Sequence, residues 1–126
     1  MVSELRPARF EERVMRDFHT ARADAQASAM FNLQGLYSGP PHDVLDAEYR
    51  ESDHCWMFFQ RKDIYFPPGR ELRKWAYANS KHSSEGRCVP DFRDDEARLR
   101  EYLQLLSDHF AKSAPTGAIV VPDPNA

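Results

Sequence analysis

Cys55-Trp56-Met57-Phe58-Phe59-Gln60 is the densest apolar run in the chain, and its reading decides the fold. Successive side chains of a strand point to opposite faces, and here both sets are bulky. The run therefore predicts a central strand covered on both sides. Arg61-Lys62-Asp63 interrupts it with charge, and Ile64-Tyr65-Phe66 resumes the apolar pattern. This order predicts a hairpin with a tight charged tip. Pro67-Pro68-Gly69 then ends the second strand, because proline cannot donate to a ladder.

Downstream, Trp75-Ala76-Tyr77-Ala78 alternates large and small residues. That period of two predicts a strand with Trp75 and Tyr77 on one face. A core Trp75 would cost about 3–5 kcal/mol on truncation to alanine. The segment from Lys81 to Gly86 is a polar turn, and Arg87-Cys88-Val89 returns as a strand closed by Pro90. Residues 94–112 predict a helix, with Asp94 as N-cap and Asp95 and Glu96 in its first turn. Leu99, Tyr102, Leu103, Leu106 and Phe110 form its apolar stripe. Beyond Pro115 and Gly117, residues 118–121 predict a last edge strand.

Upstream, residues 7–34 predict a first helix. Phe10, Val14, Phe18, Ala21, Ala25 and Ala29 recur at steps of three and four, which places them on one stripe. The alanine half of that stripe invites close approach by another element. Gly35 is a stop signal, and Pro40-Pro41 forbids continuation. Residues 42–54 are acidic and polar, with a short helical turn expected at 43–49. The sum is an α+β fold: a small antiparallel sheet of three to five strands packed against an N-terminal and a C-terminal helix. Both helices are expected on one sheet face, leaving the other partly open. Residues 1–126 read as a single domain with flexible ends at 1–6 and 122–126.

Composition sets the outer limits. The chain has 126 residues, 41% hydrophobic and 29% charged, with net charge −3. A chain of this length buries roughly two-thirds of its unfolded surface, so it needs neither disulfides nor metal to fold. The two cysteines, Cys55 and Cys88, are too few for a disulfide framework. The opening Met-Val-Ser-Glu-Leu-Arg has no apolar run behind it, and no stretch approaches the ~18 apolar residues of a membrane span. The expectation is a cytoplasmic protein with reduced thiols and no membrane partner.

Catalytic and ligand-binding motifs fare poorly. Cys88 with His82, or Cys55 with His54, offers a thiol and an imidazole, but catalysis needs an activated thiolate and an orienting third group. Neighbours in a strand point apart, and burial raises a thiol pKa. Zinc on Cys55, His82 and Cys88 lacks the usual ligand spacing. Asp91, Asp94, Asp95 and Glu96 are explained by capping and the helix dipole. The glycines are scattered singly, so no phosphate loop is present. The sequence thus predicts a non-enzyme without cofactor or metal.

Charge placement points to recognition. Residues 60–87 hold seven basic and three acidic residues. They interleave with Trp56, Phe58, Phe59, Tyr65, Phe66, Trp75 and Tyr77, the ingredients of a single-strand nucleic-acid platform. The plainer account is a strand region whose rings are core and whose charges guard loops and edges. The overall acidic balance also weighs against nucleic acid. A nucleic-acid or small-ligand domain using an aromatic, basic sheet face is the alternative to a protein-binding module.

The run Asp53-His54-Cys55-Trp56-Met57-Phe58-Phe59, the charged tip after it, and Trp75-Ala76-Tyr77-Ala78 resemble small immunity proteins of bacterial polymorphic-toxin and contact-dependent inhibition systems. The likeness spans about residues 50–110 and carries no catalytic residue. It implies a cytosolic protein that caps a toxin domain without turnover. Interfaces favour arginine and aromatic anchors with charged rims. Arg61, Lys62, Asp63, Arg70, Glu71, Arg73 and Lys74 are therefore the expected partner contacts. The acidic residues Asp43, Asp46, Glu48, Glu51 and Asp53 come second.

Overall fold

The computed structural model describes residues 17–70 and 74–113. The elements run α1 (Phe18–Asn32), a 3-10 turn (Pro41–Asp43), β1 (Leu45–Glu51), β2 (Cys55–Gln60), β3 (Trp75–Ser80), β4 (Gly86–Pro90) and α2 (Glu96–Ala111). The strands form one antiparallel sheet in the order β1-β2-β3-β4. The α+β architecture is thus as expected, with four strands and two α-helices among the described residues. The predicted parts of the first helix before Phe18, the strand at residues 118–121 and both chain ends lie outside the described residues.

Strand β2 is buried along its whole length. Trp56 and Phe58 join Tyr77 under Ala21, Ala25, Ala29 and Leu33. Cys55, Met57 and Phe59 face the other way, with Ala76, Ala78 and Val89, under Leu99 and Phe110. The helices therefore lie on opposite faces, which corrects the expectation of a two-layer fold with one open face. The physical reason is in β2 itself: rings on both of its sides each need cover.

Two local readings also change. Residues 43–49 were expected as a helical turn, but a 3-10 turn ends at Asp43 and Leu45–Glu51 is edge strand β1. Its burial alternates: Asp46, Glu48 and Arg50 are half-buried, while Ala47, Tyr49 and Glu51 are exposed. Ile64-Tyr65-Phe66 does not pair as a strand. Both flanks of β2 are taken by β1 and β3, and Ile64 and Phe66 instead pack half-buried on the α1-side core. Pro67-Pro68-Gly69-Arg70 closes that loop as a turn of the type II pattern. Gly69 takes φ 89°, and Arg70 N donates to Pro67 O at 2.9 Å.

The N-cap of α2 is Asp95, whose side chain accepts from Arg98 N at 3.2 Å, one residue later than Asp94. Trp75 and Tyr77 do share the α1 face, but Trp75 is only partly buried, while Tyr77 is 2% exposed. The truncation cost expected at Trp75 therefore belongs to Tyr77 and Phe58.

Candidate functional site

At one end of the sheet β2 leaves, β3 enters and β4 leaves. A cleft of about 240 Å³ opens there. Arg61, Lys62 and Lys74 stand on its rim, with Phe66 and Gln60. Asp91, Arg93 and Asp94, from the segment after β4, complete the wall. Three of the residues picked from sequence thus meet around one concavity.

The rim charges differ in how committed they are. Arg61 is held by Asp63, with Nε to Oδ1 at 3.0 Å and Nη2 to Oδ2 at 2.5 Å. The hydrogen bond from Arg61 holds the Asp63 carboxyl below its ordinary range, and the same pairing raises the arginine. The tip is therefore a self-paired zwitterion. Lys62 and Lys74 form no ion pair among the described residues. The Lys74 ammonium lies 5.6 Å from the centre of the Phe66 ring, a cation–π distance. Arg70 is exposed on the turn after the cleft and does not line it. Glu71 and Arg73 lie outside the described residues.

Arg93 forms the back of the cleft and was not anticipated. Its side chain is 5% exposed. It donates to Asp91 through Nε (3.1 and 3.0 Å) and Nη2 (2.8 Å). Nη1 reaches Asp46 at 2.7 Å and Glu48 at 3.2 Å, and Nη2 also reaches Gln60 O at 2.8 Å. Its guanidinium stands 4.5 Å from the Phe59 ring centre. Burial works against its charge, but hydrogen bonds to Asp91 and Asp46 overcome that and raise its pKa. The register of β1 on β2 is irregular between Leu45 and Tyr49. This is a bulge, of the kind that re-aims side chains on edge strands, and Asp46 and Glu48 sit within it. The only local sign of Arg93 in the sequence is the spacing Asp91-x-Arg93.

The acidic group ranked second is mostly used up. Asp46 and Glu48 hold Arg93, and Glu51 pairs with Lys81. Asp43 sits 3.6 Å from His42, and Asp53 is exposed.

The two thiols are placed apart from a catalytic arrangement. Cys55 is fully buried, burial pushes its thiol up, and Ser52 Oγ lies 3.2 Å from its sulfur. His54 Nδ1 is 2.9 Å from His82 Nε2. The Cys88 sulfur faces Asn32 Nδ2 at 3.8 Å, and burial raises this thiol too. Among the described residues no three His, Cys, Asp or Glu side chains are grouped to hold a metal ion. No described helix is long and apolar enough to cross a membrane.

Among the described residues, fold and cleft together define an α+β domain with a four-stranded meander between two helices and a lysine-bearing concavity at one sheet end. Compared with protein-family models, with curated proteins and with solved structures, the chain matches none.

Proposed function

We propose that this chain is a non-catalytic protein-binding module, in the form of an immunity protein that neutralises a bacterial toxin in the cytoplasm. The observation that supports it is the cleft at the β2–β3 end, where Lys62 and Lys74 have no ion pair among the described residues and Lys74 lies over Phe66. Two ammonium groups without an ion pair among the described residues, one of them over the Phe66 ring, suit an acidic or acidic-aromatic anchor from a partner. The paired Arg61–Asp63 tip and the exposed Tyr65 (72%) supply a polar rim and an apolar contact beside it.

An aromatic sheet platform for nucleic acid has less support. Trp56, Phe58, Phe59 and Tyr77 are core residues between the helices, so their faces are occupied by protein.

The test is co-expression with toxins encoded beside the gene. Protection of the cells and a stable complex are expected. Lys62→Glu combined with Lys74→Glu should weaken that complex by about tenfold or more and flatten its salt dependence, with the fold intact by circular dichroism. Failure to bind or protect against any adjacently encoded toxin overturns the proposal. Unchanged affinity in the double variant removes this cleft as the docking surface.

A further inference from the structure

Strand β4 is an outer strand of the sheet, and its far side has no strand partner among the described residues. The ladder fixes which of its groups face outward. Ser80 N donates to Glu85 O, and Asp91 N donates to Lys74 O. In an antiparallel pair, hydrogen-bonded positions alternate with positions that are not. Arg87 and Val89 therefore turn their backbone groups to β3, while Gly86, Cys88 and Pro90 turn theirs away from the sheet. Charge guards many edges, but the Arg87 guanidinium is drawn aside to Glu85 and His109, at 3.0 and 3.2 Å.

Both helices overhang this edge with apolar side chains. On α1, Ala27 and Ser28 border Gly86 and Cys88. Phe31 is one helical turn beyond them, on the same flank, and is 70% exposed. On α2, His109 reaches Arg87, and the Tyr102 ring lies 4.9 Å from that of Phe92, just after β4. Leu105 stands between Tyr102 and His109 on that flank and is 58% exposed. Exposed apolar groups gathered along one open edge mark an interaction surface.

We infer that this edge joins two copies of the chain, β4 antiparallel to β4, with the two-fold axis at Cys88. Each Cys88 N–H then donates to the second copy's Cys88 C=O, and each Gly86 N–H to the second copy's Pro90 C=O. An axis nearer Pro90 would centre on a residue without N–H, and one nearer Gly86 would run past the start of β4. A strand edge about 17 Å long falls short of the roughly 800 Å² per partner of a stable interface, and the helix flanks widen the contact on both faces. The flank of α2 is also self-complementary in charge. Two-fold pairing sets α2 against α2 in opposite directions, Leu105 on Leu105, which brings Glu101 near the second copy's Lys112. Both are exposed, and neither has an ion pair among the described residues. The dimer does not rest on toxin binding, and its test uses no toxin.

Sedimentation equilibrium of the full chain, from roughly 1 μM to 1 mM with reductant, reads the association, and a concentration-dependent dimer is expected. Phe31→Glu and Leu105→Glu change exposed positions and should each weaken it by about tenfold or more, with circular dichroism unchanged. Lys112→Glu should weaken it by about threefold, and adding Glu101→Lys should restore it. The axis also sets the two Cys88 Cα atoms about 5.5 Å apart, within disulfide reach. Without reductant, oxidised glutathione should therefore exchange with both thiols, leaving a Cys88–Cys88 disulfide and two reduced glutathiones. A monomer at every concentration, a dimer of undiminished strength in folded Phe31→Glu and Leu105→Glu proteins, or an equal loss in the single and exchanged charge variants overturns the inference. The edge would then be covered from within the chain or left to a different partner.

Discussion

Arg93 shows how one residue can tie three segments together. Its guanidinium joins the β1 bulge through Asp46 and Glu48, the end of β2 through Gln60 O, and the turn before α2 through Asp91. Removing it would take the cation from between Asp46 and Asp91, while Glu48 would keep Arg50 at 2.7 Å. Breaking a buried ion pair from one side costs about 3–5 kcal/mol. Asp46 and Glu48 keep some access to water, with side chains 27% and 38% exposed, so the lower end applies. Arg93→Met should lower the unfolding free energy by about 3 kcal/mol. Arg93→Lys should fall between it and the parent, since an ammonium keeps the charge and loses the fork. Urea denaturation of the three proteins at neutral pH checks the order; a midpoint unchanged in Arg93→Met would refute the role given to the network. This part of the site was not legible in the sequence. Asp46 and Glu48 lie more than forty positions from Arg93, and a bulge leaves no mark in hydrophobic periodicity. Arg61, Lys62 and Lys74 were legible because charge that interrupts or borders an apolar strand has nowhere to go but its ends.

Among the elements, β2, β3, β4 and α2 were read correctly from the sequence, and the edge strand β1 was not. Strand β2 and helix α2 declare themselves through bulk and through a stripe. Strand β1 does not, because its half-buried positions carry Asp46, Glu48 and Arg50, and Leu-Asp-Ala-Glu-Tyr-Arg-Glu reads as a polar helical turn. Ile64-Tyr65-Phe66 misled in the opposite direction: three apolar residues before a proline pair can fill core without joining a ladder. The alanine stripe of α1 was read as a place of close approach, and the approaching element is the sheet. Ala21, Ala25 and Ala29 are fully buried against the layer holding Trp56, Phe58 and Tyr77. A larger side chain there has no room. Ala25→Leu should therefore destabilise the protein by about 1–3 kcal/mol through overpacking, although leucine is itself a good helix former. Ala27→Leu, at an exposed position of the same helix, should be close to neutral. Thermal unfolding of the pair decides it: equal midpoints would mean that α1 does not sit tightly on the sheet.

At the scale of the whole molecule, covering both sheet faces confines recognition to sheet ends, loops and grooves beside the helices. It also distributes titratable groups so that stability should fall at both extremes of pH. The hydrogen bond from His109 lowers the pKa of Glu85, and that from Arg50 lowers the pKa of Glu48. A carboxylate whose folded pKa is depressed adds stability above its unfolded value, near 4.3 for glutamate, and loses it as pH falls through the folded value. Both side chains are partly exposed, which keeps each contribution small. Cys55 works from the other side. Burial raises its pKa, so the folded state retains a proton that the unfolded chain gives up near pH 8.5. Its contribution is complete below that value and is lost as pH rises toward the folded one. The denaturant midpoint should be broad and flat from about pH 5 to 8 and decline on either side. Glu85→Gln should soften the acid decline and Cys55→Ala the alkaline one. Each variant is compared by the shape of its own profile, because Cys55→Ala also leaves a small void that lowers the whole curve. An alkaline limb of the same steepness in Cys55→Ala would show that the buried thiol is not what ionises on unfolding there.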